Sequence, residues 1–239
     1  MKIIATLPTY NERQNLETLI DAVLQAHPRI ELLVIDDNSP DGTHELVRGR
    51  AASDARVHLL HRTEDKGRGT AGVAGFLEAL RLGADYIVEM DADWSHHPRF
   101  IAPMVERAEA GADVVVGSRL APGGGEVGRS PARKWITLLA NGYIRTLLRL
   151  PVRDCTSGFR VFRRWVLERI DWSRVESRGP ALVQEVLVAA RALGARVEEH
   201  PILFEERKAG ASSLTSRILV AGLMAQWRLR FRPAPVRTL

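Results

Sequence analysis

Short apolar runs alternate with longer amphipathic stretches through the first half of the chain. Ile3-Ile4-Ala5-Thr6-Leu7 is a strand-length run that stops at Pro8. The next stretch, NERQNLETLIDAVLQAHP, sets Leu16, Leu19, Ile20, Val23 and Leu24 at helical spacing, with Asn11 or a neighbour as cap and His27-Pro28 as stop. Leu32 to Ile35 is again continuous and apolar, and breaks abruptly into Asp36-Asp37-Asn38-Ser39. Strand, helix, strand at this pitch predicts a βαβ unit with a parallel sheet. Such strands are covered on both faces and read as unbroken apolar runs.

The alternation continues. Pro40-Asp41-Gly42 forms a turn, and a helix runs from Thr43 to about Arg50. Residues 57–60 form a strand, TAGVAGFLEALRLG a helix rich in small residues, and 87–90 and 114–116 two more strands. Then the grammar changes. Residues 117–131, GSRLAPGGGEVGRSP, read as a long Gly- and Pro-rich loop suited to a mobile lid or entrance. Residues 132–150 are an apolar helical run edged by Arg133, Lys134, Arg145 and Arg149: either an ordinary packed helix or an interfacial one. Asp154 to Arg160 is polar and turn-like beside an apolar strand or helix start. A helix over Leu182–Ala192 and a late strand over 196–204 follow. After a polar loop, a last helix over 214–232 ends in Arg228, Arg230 and Arg232 before Pro233.

Composition narrows the class. A chain of 239 residues suffices for one large domain or one domain with an extension. Its single cysteine, Cys155, excludes an intrachain disulfide and a thiol-based metal cluster. No window reaches 18 uninterrupted apolar residues, so no transmembrane helix is expected, and MKIIATLPTYNE lacks the plan of a signal peptide. The formal charge is 34 minus 29, or +5, with the excess mainly after residue 128 among Trp, Leu and Ile. That pattern suits an anionic surface or a polyanionic ligand. Because the cations alternate with a long apolar face, nucleic acid is disfavoured as the partner.

Polar residues gather where the predicted strands end: Tyr10-Asn11-Glu12, Asp36-Asp37, Arg62 and Lys66, then Asp91 and Asp93. In an open parallel sheet ligands sit at those carboxyl ends, so a nucleotide-type pocket is predicted there. Asp91 and Asp93 are separated only by Ala92, and two such carboxylates either hold a divalent cation through hard oxygen ligands or form an Asx turn over a solvated loop. The first βα turn lacks G-x-G-x-x-G and no P-loop signature occurs, so dinucleotide and P-loop sites are unsupported. His96 and His97, beside Pro98, read as loop capping or packing residues.

Six motifs then fall in order: PTYNE at 8–12, VIDDNSPDGT at 34–43, KGRGTA at 66–71, MDADWSHHP at 90–98, GSR at 117–119 and DCTSGFR at 154–160. In this the chain resembles the family 2 glycosyltransferases, and within them the dolichol-phosphate (polyprenol-phosphate) mannose synthases, from about residue 2 to 215. The resemblance implies a GT-A fold: an α/β, Rossmann-like, mostly parallel central sheet flanked by helices. It implies inverting, metal-dependent transfer of mannose from GDP-mannose to a polyprenyl or dolichyl phosphate, with Mg2+ or Mn2+. Pro8, Tyr10, Glu12, Asp37 and Lys66 would serve the nucleotide sugar, Asp91 the ribose and metal, and Asp93 the metal. Arg207 would face the diphosphate and Arg119 the acceptor side and the transferred group. Ser157 and Glu185 would serve the acceptor.

The chain also departs from the family pattern. Ser213 replaces a lysine of the late loop, and Arg68 stands where the glycine-rich loop usually has leucine. Thr137-Leu138 precede Asn141 where Ser-Arg is usual, which shifts the expected acceptor-phosphate grip to Arg133 or Lys134. Two alternatives stay open: a glucose- or other hexose-transferring relative using a UDP-sugar, and a catalytically weak nucleotide-binding protein. The expected organisation is a catalytic domain over 1–213 and a basic amphipathic helix with its tail over 214–239. The protein would sit peripherally on the cytoplasmic face of a membrane, with or without a separate tethering protein.

Overall fold

The computed structural model describes residues 1–205 and 216–237, with side chains for 1–205 and 224–237. The predicted alternation is present: β1 (Ile3–Thr9), α1 (Arg13–Ala26), β2 (Ile30–Asp36), α2 (Thr43–Ser53), β3 (Val57–His61), α3 (Arg68–Arg81) and β4 (Tyr86–Glu89). After a 3₁₀ turn come α4 (Ile101–Glu109), β5 (Val114–Ser118), β6 (Gly125–Val127), α5 (Pro131–Leu148), β7 (Arg160–Arg163) and α6 (Arg164–Glu168). The chain closes with α7 (Leu182–Ala192), β8 (Val197–Pro201), β9 (Leu203–Glu205) and α8 (Ser216–Phe231).

The main sheet has seven strands in the order β3-β2-β1-β4-β7-β5-β8. Strands β1 to β4 are parallel, and β8 is parallel to β5. Adjacent residues of each strand point to opposite layers. Ile3, Ala5 and Leu7 pack with α1, Val47 of α2 and Met104 of α4, whereas Ile4 packs with Phe76 of α3 and Ile144, Leu187 and Leu229 of α5, α7 and α8. Burial on both faces is the physical reason these strands read as continuous apolar runs. From β1 the chain winds outward through β2 and β3, then returns to place β4 on the other side of β1. The switch point therefore lies between the carboxyl ends of β1 and β4.

Strand β7 is antiparallel to both neighbours, with Glu89 opposite Arg160 on one side and Val115 opposite Val161 on the other. This reversal brings the loop preceding β7 to the edge where the parallel strands end. The late strand is two: β8 extends the main sheet, while β9 pairs with β6 in a second, two-stranded sheet. The glycine-rich segment is thus pinned at its middle instead of forming an open lid. Helix α4 has no counterpart among the predicted elements.

Asn11 does not cap α1. It adopts a left-handed backbone with φ of 59°, and the cap is Glu12, with no side-chain capping bond. The start of α1 is held from the β2–α2 loop instead. Ser39 Oγ accepts the Asn11 N–H at 3.0 Å, Thr43 Oγ1 the Glu12 N–H at 3.2 Å, and Asp41 the Arg13 N–H at 3.1 Å. Asp41 also accepts from the backbone N–H and hydroxyl of Thr43, at 3.0 and 2.6 Å, so one exposed carboxylate caps two helices. Asp41→Ala is expected to lower unfolding stability by about 1–2 kcal/mol, the usual loss for a helix cap. Urea denaturation at neutral pH measures it.

Candidate active site

Residues from the ends of β1, β2 and β4 and the start of α3 enclose a cavity of about 480 Å³. Pro8, Tyr10, Glu12, Asp37, Lys66, Asp91 and Asp93, which the sequence nominated separately, all line it, together with Arg68. A larger cleft of about 1110 Å³ begins at Arg68 and Asp91 and runs past Arg119, Thr156, Ser157 and Gly158 to α5, α7 and α8. Arg68 and Asp91 line both spaces and form the wall between them.

The loops that build this wall are locally strained. Asn11, Asn38, Asp65 and Trp94 have positive φ, and they sit in the loops after β1, β2, β3 and β4 respectively. For a residue as bulky as tryptophan a φ of 66° is costly, and such strain persists where the surroundings over-determine it. Here Trp94 is wedged against the core and the edge of His97 at 5.7 Å between ring centres. The turn it makes carries Asp93 into the smaller cavity.

The acidic residues divide by what they hold. Asp36 is fully buried and accepts from Thr9 Oγ1 and from the Ser39 hydroxyl and N–H. It stands beside the stacked rings of His44 and His61, and the three form a grouping of potential metal ligands that the sequence reading did not assemble. Asp37 pairs with Arg62 at 2.6 Å and accepts the Gly67 N–H at 2.7 Å, fixing the start of α3 beside the cavity. Asp93 accepts from Ser95 N–H and hydroxyl through one oxygen, at 3.1 and 2.5 Å, so the Asx turn is real and does not consume the second oxygen through Ser95. Asp91 forms an ion pair with Arg68 at 2.5 Å. Its backbone N–H donates to Nδ1 of His96, whose buried ring stacks on Phe159 at 5.1 Å. Burial pulls the His96 pKa down, which suits a neutral ring accepting that bond. His97 caps the following 3₁₀ turn through the Arg99 N–H.

On the cleft side, Arg119 grips Asp154 bidentately, Nε and Nη2 each at 2.7 Å, and donates to Thr156 Oγ1 at 2.6 Å. Although burial alone would raise it, the Arg119 hydrogen bonds and charge hold the Asp154 carboxyl below its ordinary value. Glu185 lines the cleft, yet its carboxylate accepts the backbone N–H groups of Glu176 and Ser177 and faces Arg232 at 3.7 Å. That makes it an anchor for the 176–178 loop. The same loop presses on α3, where a Cβ on Gly69 would lie 2.4 Å from the Arg178 carbonyl carbon, so only glycine fits. Arg133 and Lys134 lie on the exposed first turn of α5 and line neither cavity; Arg228 and Arg232 of α8 instead join Arg68, Arg119 and Arg178 along the larger cleft. Nothing near residue 133 in sequence signals this, because α8 reaches the cleft only through tertiary packing. Arg207, with Lys208 and Ser213, lies outside the described residues. Cys155 is buried, its thiol pushed up to about 12 by burial, and is chemically inert.

The same architecture occurs in glucosyl-3-phosphoglycerate synthase from Mycobacterium tuberculosis. One of its structures superposes with a TM-score of 0.69, covering 99% of this chain and 81% of that one at 19% sequence identity. That likeness identifies the fold as GT-A. Residues 5–171 match the model of glycosyl transferase family 2, and the chain belongs to that family. Two relatives cover nearly all of it. Polyprenol monophosphomannose synthase of Mycolicibacterium smegmatis is 41% identical over 235 residues, 97% of this chain and 88% of that protein. Undecaprenyl-phosphate mannosyltransferase of Micrococcus luteus is 39% identical over 235 residues, 95% and 96% of the two chains.

The Arg119–Asp154 pair sets a pH dependence. A depressed folded-state pKa contributes stability above the ordinary carboxyl value of 3.8, lost as pH falls through the folded value. Asp154→Asn is expected to cost about 3–5 kcal/mol at pH 7, the usual loss on breaking a buried ion pair, and to flatten the decline in stability below about pH 4. Denaturant titrations from pH 7 to pH 3 compare the two slopes.

Proposed function

We propose that this glycosyltransferase moves a mannosyl group from a nucleotide sugar, GDP-mannose, to a polyprenyl phosphate. The observation that carries the reading is the shared wall: a cavity at the strand ends lined by charged side chains and a largely apolar cleft meet at Arg68 and Asp91. The names of the two relatives describe mannosyl transfer to polyprenyl phosphates, and their similarity spans 97% and 95% of this chain.

The smaller cavity suits the donor. Tyr10 is 58% exposed at its rim and offers a ring face to a nucleobase, while Lys66 and the N-terminus of α3 offer positive charge to phosphates. Asp91 and Asp93 supply hard oxygen ligands that fit Mg2+ or Mn2+; the M. tuberculosis synthase was solved with Mn2+ and UDP. When bound, such a cation neutralises charge developing on the departing diphosphate.

The cleft suits the acceptor. Its far end, between Ile136, Leu139 and Tyr143 of α5 and Leu229 of α8, takes hydrocarbon, while Arg119, Thr156 and Ser157 near the wall address a phosphate. A phosphate monoester oxygen is already anionic at neutral pH, so attack needs no strong general base. The work of the protein is to hold two phosphorylated molecules together against their repulsion and in line across the wall. Attack from the cleft on a sugar held in the donor cavity is a single displacement with inversion.

The product formed from radiolabelled GDP-mannose and a short polyprenyl phosphate tests this. Mannosyl-phosphate lipid is expected from the wild type, with GDP-mannose preferred over UDP-sugars. Asp93→Ala is expected to lose on the order of 3–4 kcal/mol of transition-state stabilisation, or 10²–10³ in rate, with its fold retained. A glucosyl product, or full activity in Asp93→Ala, would refute the respective assignment.

The acceptor's tail requires a membrane surface, and an exposed apolar face beside the cleft supports docking there. No helix among the described residues is long and apolar enough to cross a bilayer. Trp135, Ile136, Leu138 and Leu139 of α5 and Met224, Trp227 and Phe231 of α8 are nevertheless exposed. Ile136 and Leu139 also line the cleft, so the exposed apolar surface is continuous with its mouth. Arg133, Lys134, Arg228 and Arg230 flank this face, whereas Arg232 turns inward to Glu176 at 2.9 Å. We therefore assign α5 and α8 to peripheral docking on the cytoplasmic leaflet. Arg228→Glu/Arg230→Glu is expected to lower partitioning onto anionic vesicles by at least about 2 kcal/mol, roughly thirtyfold, from about 1 kcal/mol per lost cation. Equal co-sedimentation of variant and wild type would remove α8 from the docking face.

A further inference from the structure

Arg68 is the side chain that the reading above leaves unexplained. It is the first residue of α3, its guanidinium lies 2.5 Å from Asp91, and it lines both cavities. It also lies in the field of Glu89 and Asp93, a set of acids that holds its proton more tightly than usual. Space is kept for it: a Cβ on Gly158, across the cleft, would come within 2.9 Å of Arg68 Nη2. A flexible cation has thus been placed on a carboxylate that fits a divalent metal, at the point where the two substrates' phosphates would face each other.

We propose that Arg68 is a positioning residue that makes metal binding depend on the nucleotide. In the empty site its guanidinium neutralises Asp91 and opposes a second cation there. When a nucleoside diphosphate enters, the phosphate oxygens offer the guanidinium a bidentate partner, and Asp91 is released for the metal. The two positive charges then share the diphosphate between them instead of competing for one carboxylate. The assignment rests on the smaller cavity being the nucleotide-sugar site, and it gives the donor diphosphate a cation carried by α3.

The two halves of this role have opposite signs on removal, which a merely structural residue would not show. Arg68→Leu is expected to bind Mn2+ alone about tenfold more tightly than the wild type, and GDP in saturating Mn2+ about tenfold more weakly, each equivalent to one strong charge-assisted contact. In turnover, KM for the donor should rise more than kcat falls. Arg68→Lys keeps the charge but not the fork, so it should still oppose Mn2+ alone while recovering only part of the GDP affinity. Gly158→Ala, whose new methyl crowds the guanidinium while leaving residue 68 an arginine, should shift both constants in the directions of Arg68→Leu. Calorimetric titrations with MnCl2, and with GDP in MnCl2, read these constants. Unchanged Mn2+ affinity or unchanged GDP affinity in Arg68→Leu would overturn the proposal. Failure of the wild type to bind any nucleoside diphosphate with Mn2+ would instead overturn the donor-site reading beneath it.

Discussion

A single buried guanidinium ties the catalytic edge of the molecule together. Arg160 has no exposed surface, and it donates to the carbonyls of Ser157 at 2.8 Å, Cys155 at 3.4 Å and Val183. Burial lowers its pKa to about 10, which still leaves it charged at neutral pH, and Glu89 opposite it on β4 supplies the counter-charge. Burial in turn raises the pKa of Glu89, and the two neighbouring arginines oppose that rise. A charge this deep persists only when its donors are matched. Arg160 meets that demand with backbone carbonyls from the loop before β7 and the first turn of α7. Placing Thr156, Ser157 and Gly158 at the cleft is therefore a consequence of burying the cation, and the antiparallel insertion of β7 is what allows it.

Electrostatic division of labour follows from that frame. On the proposed reading, two phosphorylated substrates would bring several negative charges to one wall, so the acids near it must either be held internally or serve a cation. Asp37 is paired with Arg62 and Asp154 with Arg119, while Asp41 and Asp36 accept from hydroxyl and amide donors. Asp91 is the carboxylate at the wall, where Arg68 meets it, and Asp93 stands beside it in the smaller cavity. The long DDNSPDG loop is in this light mostly architecture: Asp36, Ser39, Asp41 and Thr43 knit the starts of α1 and α2, and Asp37 alone among its acids lines the donor cavity.

Much of this was legible in the chain. Parallel strands covered on both faces leave continuous apolar runs, so β1 to β5 were visible, and with them the edge on which Pro8, Tyr10, Glu12, Asp37, Lys66, Asp91 and Asp93 converge. What escaped has equally physical causes. Strand β7 has four residues, begins with Arg160 and ends with Arg163, so its pattern says nothing of direction; only pairing with β4 and β5 does. Helix α4 carries Pro103 near its start and is short, which hides a strongly amphipathic face. Asn11 looked like a cap by residue type, but its left-handed backbone feeds a cap assembled from a loop 28 to 31 residues further on. Of the cations nominated for the acceptor, Arg119 lines the cleft whereas Arg133 and Lys134 do not, because sequence proximity is all a motif can offer. Arg228 and Arg232 arrive there by helix packing.

Under the proposed docking, helix α8 would both close the cleft and meet the membrane. Residues 224, 227 and 231 recur at helical spacing and are exposed, with Trp227 and Phe231 stacked at 5.5 Å. The opposite face buries Gln226 against Gln184 of α7 and Leu229 in the core beneath α5. Arg232 then binds Glu176 and the Arg174 carbonyl, and the tail beyond is stitched back through Ile170 and Val236. A helix fixed on its inner face, at its end and through its tail cannot dip independently into a bilayer; whatever its outer face meets, the cleft meets in the same orientation. Since Ile136 and Leu139 continue that outer surface into the cleft, the proposed docking would let an isoprenoid pass from lipid to protein along apolar contacts throughout. Only its phosphate would then leave the headgroup layer, and the arginines at the inner end of the cleft would replace the counter-ions it gives up.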